Sequence, residues 1–167
     1  KETEEFEKYL TNLKENYCVS AKEIKTGNPV TDVILTQKQK EAEENGIDFD
    51  CKFIYPVDSN INAFDVSVIL NNAIENAFEG VNGCKDPYVS VLAYRKKNAY
   101  MLEVRNCISK GVEIDKETGL PETTKKDKRS HGFGLANIRK VAQKYYGDID
   151  INQNENSFTL TVMLMIE

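Results

Sequence analysis

The chain has 167 residues, of which 40% are hydrophobic and 29% charged, which is enough for one globular domain with a core. Its formal net charge of -5 and pI near 5.1 argue against the broad basic surface that binds nucleic acid, so no nucleic acid is expected as a partner. No apolar run approaches the roughly 20 residues that span a bilayer, and the first ten residues do not resemble a signal peptide.

The N-terminal segment is very polar, but its apolar residues recur at helical spacing and predict a helix with one narrow apolar stripe. The stripe consists of Phe6, Leu10, Leu13 and Tyr17. Asn28 and Pro29 then predict the start of a second helix over residues 30–44, which Gly46 closes. Such a narrow stripe on the first helix indicates packing against a single partner.

The middle of the chain contains the clearest strand patterns. Residues 47–54 alternate apolar and polar side chains as a half-buried strand does, and a long helix follows over residues 62–79. Residues 88–94 and 99–105 read as two further strands joined by the polar turn 95–98. These two strands are expected to form an antiparallel hairpin.

Residues 108–129 lose periodicity and predict a long loop of the kind that is often functional. An amphipathic helix follows and ends near Gly147, and strands are predicted at residues 148–152 and 157–166. Helices and strands do not alternate as βαβ units. The expected fold is therefore α+β, a two-layer α/β sandwich with a mixed, mostly antiparallel sheet and helices on one face.

The cysteines are irregularly spaced, with no C-x-x-C pair, and the chain has a single histidine. This pattern supports neither a zinc site nor a redox motif. Two disulfides are formally possible, but a domain of this size does not need them, so reduced thiols typical of the cytosol are expected. The four cysteines are Cys18, Cys51, Cys84 and Cys107.

In the predicted helix over residues 62–79, Asn72 and Asn76 lie one turn apart at the border of an apolar face. That face consists of Val66, Leu70, Ala73, Ile74 and Ala77. Amide oxygens are neutral hard ligands that suit a magnesium ion shared with water and substrate phosphates. The same spacing also arises by chance at a polar helix edge, so the pair alone leaves both interpretations open.

A second pattern, HGFGL, places Gly132 and Gly134 directly before an amphipathic helix. Glycine lets a backbone approach a ligand closely, and the free N–H groups of a helix start attract anions such as phosphate. Glycines at a loop-to-helix junction also serve simply to turn the chain. Thr124, Lys125 and Lys126 just before them would let the loop close over a triphosphate, although such a charge run is otherwise solvated surface.

Together, ILNNAIENAFEG and HGFGL resemble the asparagine box and the second glycine box of the GHKL superfamily, which includes DNA gyrase and the histidine kinases. The nucleotide-binding unit of that superfamily is the Bergerat fold. The resemblance covers the chain from about Lys22 and is greatest to the sensor histidine kinases of Gram-positive peptide quorum sensing. It implies ATP and Mg²⁺ as cofactors.

The resemblance implies roles for individual residues. Asn76 is similar to the family's principal magnesium ligand, with Asn72 as a second polar contact near the metal. In gyrase-like relatives a glutamate at the position of Asn72 activates water, so an amide there points away from hydrolysis and towards transfer to a separate acceptor. No catalytic residue is assigned, because the phosphoacceptor histidine belongs to another domain.

The first glycine box departs from the family pattern, since VRNCISKGV stands where Asp-x-Gly-x-Gly is usual and Asn106 takes the position of the aspartate. Its amide oxygen can still accept a hydrogen bond from the adenine amino group. An ATP lid is implied at about residues 108–131. The other residues assigned to the nucleotide site by resemblance are Thr124, Lys125 and Lys126 of the lid, and His131, Gly132, Phe133, Gly134 and Leu135 of the second glycine box.

The only histidine, His131, lies in the glycine box, whereas the family's phosphoacceptor is on an upstream helix, so a local hydrogen-bonding role is expected for it. The striped segment at residues 1–20 resembles the end of the dimerisation and phosphotransfer domain. Residues 21–167 then form the catalytic ATP-binding domain.

The resemblance therefore implies a protein-histidine kinase domain that transfers the γ-phosphoryl of ATP to its own dimerisation domain and works with a response regulator. The full-length protein is expected to be a homodimer and a membrane sensor, with this domain in the cytoplasm and the membrane reached only through a region before residue 1. By itself the chain is not expected to autophosphorylate. The alternatives are a Bergerat-fold ATPase or anti-sigma-type serine kinase, and a degenerate module that only binds a partner.

Overall fold

The computed structural model describes residues 23–121 and 133–166, which form three helices and five strands. The helices are α1 (Pro29–Glu44), α2 (Ala63–Gly80) and α3 (Gly134–Lys144). The strands are β1 (Asp48–Lys52), β2 (Tyr88–Lys96), β3 (Ala99–Cys107), β4 (Asp148–Gln153) and β5 (Ser157–Met165). None of the helices in these two stretches has the length and apolarity needed to cross a bilayer. The helix predicted within residues 1–20 lies outside the described residues.

The strands form one mixed sheet in the order β1-β2-β3-β5-β4. β1 is parallel to β2, and every other neighbouring pair is antiparallel. Val91, Val104 and Val162 are buried on one face of the sheet, whereas Leu92 and Tyr94 on the other face are partly exposed. Because the three helices cover the buried face, the predicted α+β sandwich with a mixed, mostly antiparallel sheet is confirmed.

The helix α2 lies between the other two helices and carries one fully apolar stripe. The side chain of Asn62 caps its start by accepting the N–H of Phe64 at 2.8 Å. Burial of each large aliphatic side chain in the stripe contributes roughly 1.5–3 kcal/mol. The buried residues are the five predicted ones and Ile69, namely Val66, Ile69, Leu70, Ala73, Ile74 and Ala77. The stripe fixes the rotation of α2, and hence the direction in which its polar edge points.

The helix α1 begins where predicted, with Asn28 as its cap and Pro29 as its first residue. Its buried face includes Lys38, which a pattern of apolar residues does not predict. The Nζ of Lys38 lies 3.0 Å from a carboxylate oxygen of Glu41 and 3.5 Å from one of Glu75 on α2. The aliphatic stem is therefore covered while the charge stays paired, and the lysine joins α1 to α2.

The β2–β3 hairpin is longer than the predicted strands 88–94 and 99–105. Each strand continues for two more residues, and the pair Lys96 and Ala99 closes the ladder. The tight turn that remains is possible because Lys97 adopts a positive φ of 56°. Arg95 and Lys96 at the end of β2 are exposed while their backbone stays paired, which is why these polar residues did not end that strand.

The predicted irregular loop at residues 108–129 is described as far as residue 121, and this part is ordered. Ile114 pairs with Pro121, and the carboxylate of Asp115 accepts the backbone N–H of Thr118 at 2.7 Å. Arg139 on α3 donates to the carbonyl oxygen of Thr118 at 2.6 Å. This first part of the predicted lid is therefore fastened to α3.

Gly147 connects α3 to β4 at a point where the backbone of β5 passes very close. A Cβ on Gly147 would overlap the carbonyl oxygen of Met163 and lie 2.7 Å from its carbonyl carbon. We expect Gly147→Ala to prevent folding or to lower the free energy of unfolding by more than about 4 kcal/mol, because backbone atoms cannot move aside. Urea denaturation of the purified variant measures this loss.

The control for this prediction is Gly46→Ala, since Gly46 has φ +67 but no atom within 4 Å of an added Cβ. Only the cost of a positive φ applies there, about 1–2 kcal/mol. Similar losses of unfolding free energy in the two variants would contradict the close approach of β5 to Gly147.

Candidate functional site

The two motifs predicted to carry function meet where α2 faces the start of α3. A Cβ on Gly134 would lie 3.2 Å from Oδ1 of Asn72 and 3.4 Å from Nδ2 of Asn76. The distance to Asn72 is shorter than most contacts of real Cβ atoms and the distance to Asn76 is an ordinary contact, so a side chain at this position would press on Asn72 and touch Asn76. The absence of a side chain at Gly134 thus lets the start of α3 approach the asparagine pair.

The orientation of the Asn72 amide is set by its own helix. Its Nδ2 donates to the carbonyl oxygen of Val68, one turn earlier, at 2.8 Å. Because only the nitrogen of the amide can donate to a carbonyl oxygen, Oδ1 is the atom turned away from the helix and towards Gly134. Asn76 is exposed and makes no hydrogen bond with the residues that the structure describes. This pair of amide oxygens matches the neutral hard donors that Mg²⁺ accepts beside phosphate oxygens.

The start of α3 differs from the starts of the other two helices. Asn28 and Asn62 cap α1 and α2 with side-chain hydrogen bonds, whereas the N-cap residue of α3, Phe133, makes none. Phe133 is also largely exposed, at 60%. The first N–H groups of α3 therefore have no capping side chain on Phe133 to accept them, and they suit an anion.

Asn106 is on β3 and lies beside Gly80, the last residue of α2. It is buried at the end of β3, and its Nδ2 donates to the carbonyl oxygen of Cys107 at 2.8 Å. A Cβ on Gly80 would lie 2.5 Å from that nitrogen. Since Asn72, Asn76 and Gly80 follow one another at one-turn intervals of about 6 Å, the three asparagine amides extend along one side of α2 over about 12 Å.

Several predicted site residues lie outside the described stretches, and their assignment stays a prediction. They are Thr124, Lys125, Lys126, His131 and Gly132.

Leu135 lies within the described residues and is half buried against the core, so only its backbone N–H remains for a ligand at the start of α3.

The sequence patterns did not reveal the contact that holds the other end of α3, which we call the α2–α3 clamp. It consists of Asn62, Asp65, Lys144 and Tyr145. The carboxylate of Asp65 accepts from Lys144 Nζ at 2.6 Å and from the Tyr145 hydroxyl, and the Asn62 N–H donates to that hydroxyl at 3.0 Å. The only local signal was an acidic residue in the first turn of α2.

The clamp changes the acidity of its members. Partial burial raises the pKa of Asp65, but hydrogen bonds from Lys144 and Tyr145 lower it by more, so the pKa lies below its usual value. Burial and the hydrogen bond to Asp65 raise the pKa of Tyr145, so it stays a phenol that can donate. The ionised carboxylate is therefore the form that holds α3 against α2.

An open cleft of about 880 Å³ lies at another part of the surface, at the ends of β2 and β3. Its lining includes Lys85, Arg105 and Glu155 but neither Asn72, Asn76 nor Gly134. The asparagine box and the described residues of the second glycine box therefore do not line this cleft, whereas Arg105, Cys107, Ile108 and Ser109 of the first glycine box segment do.

The sequence profile of the GHKL domain matches residues 61–165, so the chain belongs to the GHKL domain family. The matched region includes α2, Asn106 and α3. No curated protein sequence matches the chain.

Solved structures of histidine kinases share the fold. The catalytic domain of histidine kinase ThkA superimposes with a TM-score of 0.63 at 17% identity, covering 84% of this chain and 94% of that one. The mycobacterial sensor histidine kinase MprB gives 0.60 at 15% identity, covering 83% and 94% of the two chains. The histidine kinase AdeS of Acinetobacter baumannii gives 0.58 at 14% identity, covering 95% and 75%. At these identities the likeness establishes the fold.

The clamp predicts a stability difference that depends on pH. Asp65→Asn removes the carboxylate, and at about pH 7 we expect it to lower the melting temperature by about 3–5 °C. Because the folded pKa of Asp65 is depressed, its contribution is present above the unfolded pKa and is lost as pH falls through the folded value. The gap between variant and parent should therefore narrow as pH falls below the ordinary titration range of an aspartate.

The matched control is Asp50→Asn, because the Asp50 carboxylate pairs with Lys52 only on the exposed surface. Melting curves of the three proteins across this pH range give the comparison. A gap for Asp65→Asn that is the same at neutral and acid pH would contradict the clamp.

Proposed function

We propose that this chain binds ATP with Mg²⁺ between α2 and α3, as the catalytic domain of a sensor histidine kinase. The observation that supports this proposal most directly is the contact of Gly134 with the amides of Asn72 and Asn76 in a GHKL domain. The phosphoryl acceptor in this proposal is a histidine of an upstream dimerisation and phosphotransfer domain. Solved histidine kinase catalytic domains share this fold, which supports the proposal.

The phosphates are proposed to bind at the start of α3. The N–H groups there have no side-chain cap from Phe133, and the missing side chain at Gly134 leaves the backbone accessible. A Cβ at Gly134 would lie 3.2 Å from Asn72 Oδ1 and 3.6 Å from Asn76 Oδ1, so both amide oxygens are near the start of α3. When bound there, Mg²⁺ neutralises charge on the phosphate oxygens and holds their geometry. These groups orient the terminal phosphate without taking part in bond making.

The base is proposed to bind at the other end of α2, at Asn106. Its amide nitrogen is engaged with Cys107, so Oδ1 remains as a hydrogen-bond acceptor. An acceptor at this position can accept a hydrogen bond from the 6-amino group of adenine. The separation of about 12 Å along α2 suits a nucleotide lying with its phosphates at Asn72 and its base at Asn106.

The chemistry that these residues support is transfer rather than hydrolysis. Asn72 has an amide where a hydrolytic relative needs a carboxylate, and an amide cannot take a proton from water. Positioning and charge neutralisation are left as the contributions of this chain. The nucleophile must then be brought by another domain, which fits a histidine on the dimerisation domain.

The same proposal includes the setting of the domain. We propose that the full-length protein is a sensor of the peptide quorum-sensing type. It is a homodimer attached to the membrane by a preceding region, and a response regulator later accepts the phosphoryl group. Thr124, Lys125, Lys126 and His131 are proposed to complete the nucleotide site.

The asparagine pair can be tested by calorimetry. Asn76→Ala is expected to weaken binding of ATP in the presence of Mg²⁺ by about 10–100-fold, because it removes a metal-ligand oxygen. The difference from the parent should shrink when EDTA removes the metal. Asn71→Ala is the matched control, since this asparagine on the same helix points about 140° away from Asn76. Unchanged affinity in Asn76→Ala would refute the metal assignment.

Gly134→Val addresses the phosphate end of the site separately. Its side chain would crowd the amides of Asn72 and Asn76, so nucleotide binding should be lost with or without Mg²⁺. Retained binding would show that the nucleotide lies elsewhere.

Phosphoryl transfer is tested by mixing the chain and ATP labelled on the γ-phosphate with a separately prepared upstream domain. Acid-labile, base-stable label on a histidine of that domain is expected, and Asn76→Ala should abolish it. Acid-stable label on serine would indicate a serine kinase, and release of free phosphate without an acceptor would indicate an ATPase. Absence of nucleotide binding would favour the non-catalytic interaction module.

A further inference from the structure

The last residue of α2, Gly80, lies directly against the side chain of Asn106. A Cβ built on Gly80 would be 2.5 Å from Asn106 Nδ2 and 3.4 Å from its Cγ, with Oδ1 farther away at 3.8 Å. Distances below about 3 Å are not found for real Cβ atoms beside another heavy atom. Any larger residue at position 80 would therefore force the amide of Asn106 to move.

The amide has little freedom to move without losing its present orientation. Asn106 is only 3% exposed, and its Nδ2 donates to the carbonyl oxygen of Cys107 at 2.8 Å. This hydrogen bond identifies the nitrogen, because the amide nitrogen is the only atom of the side chain that can donate to a carbonyl oxygen. A shift that relieves a contact at Gly80 must break or lengthen this bond and change the direction in which Oδ1 points.

We infer that Gly80 is a positioning residue for recognition of the purine base, acting through Asn106. Its missing side chain makes room for the amide nitrogen, which leaves Oδ1 as the acceptor offered to the ligand. Such an acceptor favours a purine with an amino group at position 6 over one with a carbonyl oxygen there, since two acceptors repel. This inference rests on the proposed function.

The test combines Gly80→Ala with Asn106→Ala and measures two independent quantities. The first is affinity for ATP and for inosine triphosphate, both with Mg²⁺. Gly80→Ala is expected to weaken ATP binding by about tenfold, the effect of one lost hydrogen bond, and to narrow the preference for ATP over inosine triphosphate. With Asn106→Ala already present, Gly80→Ala should change neither value further.

The second quantity is the melting temperature without nucleotide. In the parent, Gly80→Ala should lower it, because the added Cβ displaces the Asn106 amide. In the Asn106→Ala background the clash is gone, so the same substitution should no longer lower the melting temperature. Asn106→Ser serves as the second background if Asn106→Ala does not fold.

The two readouts separate this inference from the proposed function. If the parent binds no nucleotide, the proposed function and the base-recognition role both fail, while the melting temperatures still decide whether Gly80 places the amide. Equal effects of Gly80→Ala in both backgrounds, or an unchanged preference between the two nucleotides, would overturn the inference.

Discussion

The packing of α3 against α2 is the constraint on which the candidate site depends. At one end, Gly134 lies so close to the asparagine pair that a Cβ there would be 3.2 Å from the Asn72 amide. At the other end, the carboxylate of Asp65 holds the last turn of α3 through Lys144 and Tyr145. The polar contacts at Asp65 hold the end of α3, and close packing at Gly134 brings its start beside the amides. The relative position of the amides and the helix start follows from these two features.

The polar groups around the site share a simple arrangement. Asn72 and Asn106 each use their amide nitrogen to satisfy a nearby backbone carbonyl, so the oxygen is the amide atom that stays available as an acceptor. The site therefore presents neutral acceptors and, at the start of α3, backbone donors. A surface of this kind suits an anion with a bound metal better than a bare cation. The anion itself balances the charge of the metal, so the protein needs no carboxylate there. It also fits the acidic overall charge of the chain, since phosphate binding here does not require a basic surface.

The sequence patterns predicted the fold correctly where a single local rule determines the structure. The five predicted core residues of α2 are all buried, because an apolar stripe at helical spacing has only one way to leave water. The prediction missed Lys38 of α1 and ended the β2–β3 hairpin too early. In both cases charged residues occupy regular structure, since a paired or solvent-facing charge is compatible with a buried stem or a paired backbone. Charge alone is thus a poor marker of where an element ends.

The sequence by itself determined the fold class, the asparagine pair on one edge of α2 and the glycine at the start of α3, because these features depend on neighbours a few residues away. Only the tertiary structure decided that the pair and the glycine touch, that Asp65 reaches Tyr145 and that Gly80 adjoins Asn106. These contacts join residues far apart in the chain, and their distances depend on how every core side chain between them packs. A local pattern specifies which way a residue faces on its own element, whereas the packing of whole elements specifies what it meets there.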